Sequence, residues 1–537
     1  MFHQLLTPVA GNLPLSFLVA ALPVIVVLLL LGVFKRPAWQ ASLAGLAIGL
    51  VIAIAIWQFP VGLAVSSTLE GVVFALWPIM WIVFSALVLY NVAVQSGRFD
   101  AFRRWILEHL PNDRRVALIV VGYCFGALLE GVTGFGAPVA ITSALLIMLG
   151  FDAIDAIVYS LMFNTAPVAF GSLGIPITTL AGVTGLPDTQ LAAMVGRQLP
   201  FLAVLLPFYV IAMHGGLRSV VKLLPVLLVA SLTGSVVQFV TSNYISYPLT
   251  NIFSALFSLL ATVAFLRVWK HEPDPEFAIT VPPRIVEDEM PDHSSISPWH
   301  GWVPWVVVSV VVFVWSVLHW TGFHQMNIHW PGLDKQVFIT LYGKPYAAIW
   351  NFQPLASGTA ILVASIITAA AVGVGVKGYF HAMTVTWKQV RIPGLTVMAI
   401  VGLAYLMNYS GLSYTLGLGV ASVGALFPLV SAFLGWIAVF LSGSDTSGNA
   451  LFGNLQVVAA RQLGVNPVLF AATNTSGGVM AKMISPQNIA TGVATSKMEG
   501  HEGTIFARTF VHSIILTLLL GVLVWMQQYV FPGMVPH

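Results

Sequence analysis

Apolar windows of about 20 residues recur along the whole chain, at 14–33, 41–58, 71–94, 154–175, 199–213, 222–242, 248–267, 302–320, 354–376, 392–408, 467–485 and 505–530. Each is long enough to cross a hydrocarbon core as a helix, the conformation in which a segment satisfies its own backbone in lipid. Charged residues make up 8% of the 537, against about 25% in an average soluble domain. The expected fold class is therefore an all-α polytopic membrane protein. A net charge of +3 is too small to suggest nucleic acid, and no nucleic-acid signature is present. The single Cys124 excludes an intramolecular disulfide and sits in an apolar run as a packed thiol. Met1 to Leu15 carries no lysine or arginine, and the first apolar run ends in Lys35-Arg36. That order is not a cleavable signal and places the amino terminus outside.

Two further regions, 116–150 and 430–463, are apolar but interrupted by glycine-rich polar stretches. Basic residues test how they run. Arg98, Arg103, Arg104, Arg114 and Arg115 mark one inside loop; Arg218 and Lys222, then Arg267 and Lys270, mark two more. Lys377, Lys388 and Arg391 mark a fourth, and Lys497 and Arg508 a fifth. All five face the cytoplasm only if 116–150 and 430–463 each enter and leave on one side. The positive-inside rule thus predicts about 12 transmembrane helices plus two re-entrant hairpins, with Arg197 and Arg461 as exceptions outside and both termini outside.

The segment 269–298 holds seven of the nineteen acidic residues and several prolines. It is expected to be a solvated cytoplasmic linker between a first transmembrane half, 1–268, and a second, 299–537. Residues 321–350 form an outside loop whose His324 and His329 read as loop histidines rather than metal ligands. Trp299, Trp302 and Trp305 fit an interfacial belt.

The halves share a pattern. A span ends in Ser96-Gly97 in one and Ser410-Gly411 in the other; an interfacial stretch and a hairpin follow. Then come "NTAPVAFGSLGIP" from Asn164 and "NTSGGVMAKMISP" from Asn474, with proline twelve residues on, at Pro176 and Pro486, and five identities in twenty ungapped positions. Inverted repeats with interrupted helices mark many secondary transporters. Fifteen residues from Val116 to Glu130 span about 22 Å of helix and thirteen from Val430 to Ser442 about 20 Å, so tips entering from opposite faces should meet near the middle. There "EGVTGFGAP" (130–138) faces "SGSDTSGN" (442–449). Gly131, Gly134 and Gly136 let the first tip turn, and Pro138 suits the first turn of a returning half-helix whose free N–H groups attract an anion.

"GALLEGVTGFGAPVAIT", "NTAPVAFGSLGIP", "GRQLPF", "NYSGLS", "FLSGSDTSGNALFGNLQ" and "GGVMAKMISPQ" resemble the bacterial lactate permease family over nearly the full length, outside about 269–350. Val132-Thr133 stands where the family often has two alanines, and Gly448 where a serine is common. The resemblance implies an inner-membrane, proton-coupled importer of L-lactate, D-lactate and glycolate, with a small monocarboxylate and the lipid bilayer as partners, a proton as coupling ion, and no other cofactor.

From the residues themselves, Glu130 is the expected proton-coupling group, since an ionisable residue in a span is costly. Asp445 is a second, with capping of a half-helix near Asn449 as its alternative role. Lys482 is expected either to pair with the substrate carboxylate or to snorkel from a span end. The substrate is expected between the tips, near Thr133, Gly134, Phe135, Gly136 and Ala137 on one side and Ser442, Ser444, Thr446, Ser447 and Asn449 on the other. Asn164-Thr165 and Asn474-Thr475 are expected to add breaks opposite them. Thr446 and Asn449 are expected to read the 2-hydroxyl, so that replacing them weakens lactate more than propionate. Two other readings stay open. A membrane-embedded enzyme is disfavoured because no HExxH, nucleophile elbow or Walker sequence occurs. A sodium-coupled carboxylate transporter or exchanger would use the same Ser, Thr and Asn groups.

Overall fold

The computed structural model describes the chain except residues 33, 35, 133–136, 270–273, 280–294, 497, 499, 500 and 537. Among the described residues nine helices are long and apolar enough to cross a membrane, or up to eleven if each of two bent pairs is one span. The sequence windows exceed this count for local reasons. The first helix, Leu13–Gly32, is apolar along its 20 residues and keeps its window, whereas Ser357–Ala371 is short. Window 154–175 is a bent pair, Ala153–Phe163 and Val168–Thr184, at 63°. The stretch expected to lie at the interface before the second hairpin is the helix Leu412–Ala421, at 101° to the helix that follows.

The long helix Val376–Ser410 is the central strut. At 35 residues it is about 52 Å long, and it contains Lys377, Lys388 and Arg391, which the sequence suggested for a loop. It packs against Ala38–Ala55 and Val61–Phe74. Gly71 lies so near its backbone that an added Cβ would stand 2.8 Å from Val401 O, a small-residue contact of the membrane type.

The basic stretches gather on one face. Arg114 Nη1 donates to Gly150 O at 3.0 Å, so the two ends of 114–150 meet. Arg115 Nη1 donates to Ser219 Oγ at 3.0 Å, Arg508 pairs with Asp155, and Gly378 abuts Gln95. Within 269–298, Asp274 and Phe277 are tied down here. Asp274 pairs with Lys222 and with Arg115, and the Phe277 ring lies 4.1 Å from the Arg115 guanidinium. The Lys222 ammonium, with the Arg115 guanidinium, holds the Asp274 carboxyl below the usual carboxylate range. The tie is thus present above that range and fades as pH falls through the lowered value. Trp305 and Trp105 are buried in an aromatic cluster with Phe102, so Trp305 is a packing residue and not part of an interfacial belt.

The far end of the strut carries the amino-terminal strand. Phe2–His3 pairs in parallel with Val337–Phe338, and Val337–Ile339 pairs with Lys344–Pro345. Met326–His329 pairs antiparallel with Ile349–Phe352. His329 Nδ1 is 2.8 Å from Asp334 Oδ2, and no metal-binding cluster occurs among the described residues. The two basic exceptions are engaged locally: Arg461 lies 5.0 Å over the Tyr342 ring, and Arg197 Nη1 donates to Met534 O at 2.8 Å.

The two halves interlock. Asp445–Gln462, the returning helix of the second hairpin, packs against Gly171–Thr184 of the first half. Ala137–Met148, the returning helix of the first, packs against Pro486–Ser496 of the second. This reciprocal exchange brings Glu130, the second tip and both breaks around one point.

Candidate functional site

The second tip is fully described. Phe427–Ser442 stops at Gly443, whose φ of +69 is left-handed and suits glycine. Space also demands it: an added Cβ would stand 2.6 Å from Gln487 Oε1. Ser444 is extended and caps Asp445–Gln462, its hydroxyl accepting from Ser447 N–H at 3.3 Å. The cap is therefore Ser444, and the helix begins at Asp445 rather than near Asn449. Asp445, 3% exposed, accepts no hydrogen bond on either carboxylate oxygen among the described residues.

Glu130 lies near the end of Gly126–Val132. The expected tip residues Thr133, Gly134, Phe135 and Gly136 lie outside the described residues, and Ala137 opens the returning helix. Glu130 Oε1 pairs with Lys482 Nζ at 2.9 Å, both side chains being buried. Its Oε2 accepts from Asn164 Nδ2 at 2.9 Å. Gly171 closes over it: an added Cβ would lie 2.7 Å from Oε1. Lys482 thus reaches inward across the two halves and does not snorkel.

The breaks come from the repeat. Ser172, Leu173 and Gly174 have φ of 43, 56 and 82, a left-handed run just before Pro176 that costs a non-glycine residue about 1–2 kcal/mol. At the equivalent register, Lys482–Ile484 form a 3-10 turn and Ser485 an extended residue before Pro486. Asn164 ends its helix as expected, but Asn474 and Thr475 are interior to the continuous helix Pro467–Ala481. The reason is packing. A Cβ on Gly435 or on Gly477 would fall 1.9 or 2.1 Å from a facing backbone carbonyl, so the glycines of "NTSGG" let helices touch instead of breaking one.

These elements enclose a cavity of about 50 Å³ lined by Glu130, Val168, Gly171, Ser172, Ile175, Pro176, Gly443, Ser444, Asp445, Thr446, Lys482 and Gln487. Its ionisable groups are two carboxylates and one ammonium. Of the sequence candidates it joins Glu130, Asp445, Lys482, Ser444 and Thr446, with Asn164 behind Glu130. Ser447 contributes its backbone to the cap, and Ser442 closes the helix before Gly443. Thr165 Oγ1 turns to Leu161 O at 3.2 Å, and Thr475 is buried away from the lining. Gly171, Ser172 and Gln487 were not singled out, although the repeat register that aligns Asn164 with Asn474 also aligns Ser172 with Lys482.

Asn449 and Asn474 form a clamp behind the cavity. Asn449 Nδ2 donates to Pro176 O at 3.1 Å, and Asn474 Nδ2 donates to Asn449 Oδ1 at 2.9 Å. Gln456 Nε2 donates to Asn474 Oδ1 at 3.2 Å. Asn449 is spent on the broken backbone and does not line the cavity, which corrects its expected role in reading a hydroxyl. Asn449→Leu leaves buried polar groups unpaired, at about 1–3 kcal/mol each. It is expected to lower the thermal midpoint in detergent and to weaken lactate and propionate uptake together; a selective loss of lactate would restore the direct role.

The profile of a family described as L-lactate permease matches residues 16–531. The chain is 40% identical over 548 residues to glycolate permease GlcA of Escherichia coli K12, covering 98% of each. It is 37% identical over 562 residues to L-lactate permease of Bacillus subtilis 168, covering 99% of each. A solved structure of Neisseria gonorrhoeae MtrF, described among a class of antimetabolite efflux pumps, is similar with a TM-score of 0.52 at 12% identity, over 94% of this chain and 97% of that one. That likeness concerns the fold alone.

Proposed function

The chain belongs to the L-lactate permease family, and from that premise we propose that it is a secondary active transporter. It imports lactate and related small 2-hydroxy monocarboxylates such as glycolate, with protons, across the cell inner membrane. The basic face is cytoplasmic, both termini lie outside, and the hairpins 116–150 and 430–463 re-enter from opposite sides.

The observation that supports this most is the Glu130–Lys482 pair at a cavity shared by both halves. A substrate carboxylate arriving there takes the place of Glu130 on the ammonium. Glu130 is then a buried carboxylate without its cation, which is costly unless a proton joins it. Anion and proton therefore travel together, and the loaded site carries no more charge than the empty one. Asp445, without donors among the described residues, is a second place for a proton. On the sodium-coupled reading, the same oxygens would take the metal ion.

Reconstituted vesicles with an inward proton gradient in sodium-free buffer test the proposal. Labelled L-lactate, D-lactate and glycolate are expected to accumulate transiently, and a protonophore is expected to abolish this. Uptake that needs sodium and ignores the proton gradient would overturn proton coupling; absence of uptake of all three would overturn the substrate class. Asp445→Asn is expected to alter the pH profile, because Ser444 already supplies the cap. An unchanged profile removes Asp445 from coupling.

A further inference from the structure

Ser172 is a serine in a backbone conformation that suits glycine, φ 43 and ψ 51, on the wall of the cavity. It is 6% exposed, and no hydrogen bond of its hydroxyl to a described residue occurs. Its neighbour Gly171 is the residue pressed against Glu130 Oε1. In the inverted repeat Ser172 is the counterpart of Lys482. The two repeats thus bring an ammonium and an uncommitted hydroxyl from equivalent breaks to one cavity. In a 2-hydroxy acid the carboxylate and the hydroxyl are on adjacent carbons. A group that reads the hydroxyl must therefore sit beside the group that takes the carboxylate.

We propose that Ser172 is the specificity-determining residue that hydrogen-bonds the substrate 2-hydroxyl while Lys482 holds its carboxylate. This rests on the transport reading above and deepens it. Ser444 is the weaker candidate because its hydroxyl is committed to the cap. Thr446, which also lines the cavity, is the competitor that the experiment must separate. A site whose hydroxyl partner is fixed in place loses a bond, and gains an unpaired group, when the ligand lacks the hydroxyl.

The test compares inhibition of labelled lactate uptake by L-lactate and by propionate in vesicles holding wild type, Ser172→Ala, Ser172→Gly or Thr446→Val. Glycine adopts the left-handed backbone freely, so Ser172→Gly removes the hydroxyl without a folding penalty. Both Ser172 variants are expected to weaken lactate by about five- to tenfold, the worth of one hydrogen bond. Propionate is expected to change by less than about twofold, since that ligand never made the bond. Equal weakening of both ligands, or a lactate-selective loss in Thr446→Val but not in Ser172→Gly, overturns the assignment and leaves transport standing. Wild-type vesicles that neither take up nor bind lactate overturn the transport reading, and this one with it.

Discussion

Vesicles carrying Glu130→Gln are expected to exchange lactate for lactate but to accumulate none against its gradient when a proton gradient is imposed. The substitution keeps the shape of the side chain and one oxygen for Lys482 Nζ, now 2.9 Å from Glu130 Oε1. The amide nitrogen replaces Oε2, which accepts from Asn164 Nδ2. Asn164 can answer by turning its amide, because its Oδ1 has no partner among the described residues. Lys482 loses its countercharge, so the fold is expected to survive at a lowered thermal midpoint, while the only change of charge state at this position is lost. Substrate can still meet Lys482, so counterflow continues; nothing at residue 130 then ties its movement to a proton. Full uphill accumulation in this variant would remove Glu130 from coupling.

Lys482→Gln is expected to damage the protein more broadly, and the damage has a diagnostic form. Removing one member of a buried pair leaves the other charge uncompensated, at about 3–5 kcal/mol, whereas removing both is often close to neutral. The single variant should show a clearly lowered thermal midpoint in detergent. The double variant, Glu130→Gln with Lys482→Gln, should recover most of that midpoint. Neither should take up lactate or be stabilised by adding it, since the cation that receives the carboxylate is missing from both. Recovery of transport along with stability would make the pair a structural fixture. A single variant as stable as wild type would mean that the pair carries little of the packing between halves.

The tips were legible because Glu130 and Asp445 are carboxylates in apolar runs, each followed by small residues with no place in a plain span. The breaks were legible because proline recurs at one distance from an Asn-Thr pair in both halves. What these signals lacked was the partner. Glu130 and Lys482 are 352 residues apart, and no local pattern joins them. Asn449 also misled, since a buried amide that braces Pro176 O looks in sequence like one that faces a ligand. Asn474-Thr475 read as a break, yet the helix runs on, and Gly477 and Gly435 serve close approach between helices. Glycine suits a break as well as a close approach, and only the facing carbonyl decides between them. The strands within 326–352 were unreadable because each is four residues or fewer, and Val337–Ile339 also rests on the distant edge of Phe2–His3.

Gln4 Nε2 donates to Asn408 O at 2.8 Å and Tyr409 O at 3.0 Å, and Thr415 Oγ1 donates to Leu6 O at 2.8 Å. These contacts seal the far end of the central strut, and they impose an order on biogenesis. Residue 4 leaves the ribosome 405 positions before Tyr409, an interval of about 20–80 s at ordinary synthesis rates. During that interval the Gln4 side chain lacks its acceptors on the strut, and the strut cannot be closed. This joint of the strut thus waits for partners made 405 positions later, so insertion of the strut and capture of the waiting segment belong to one step of assembly.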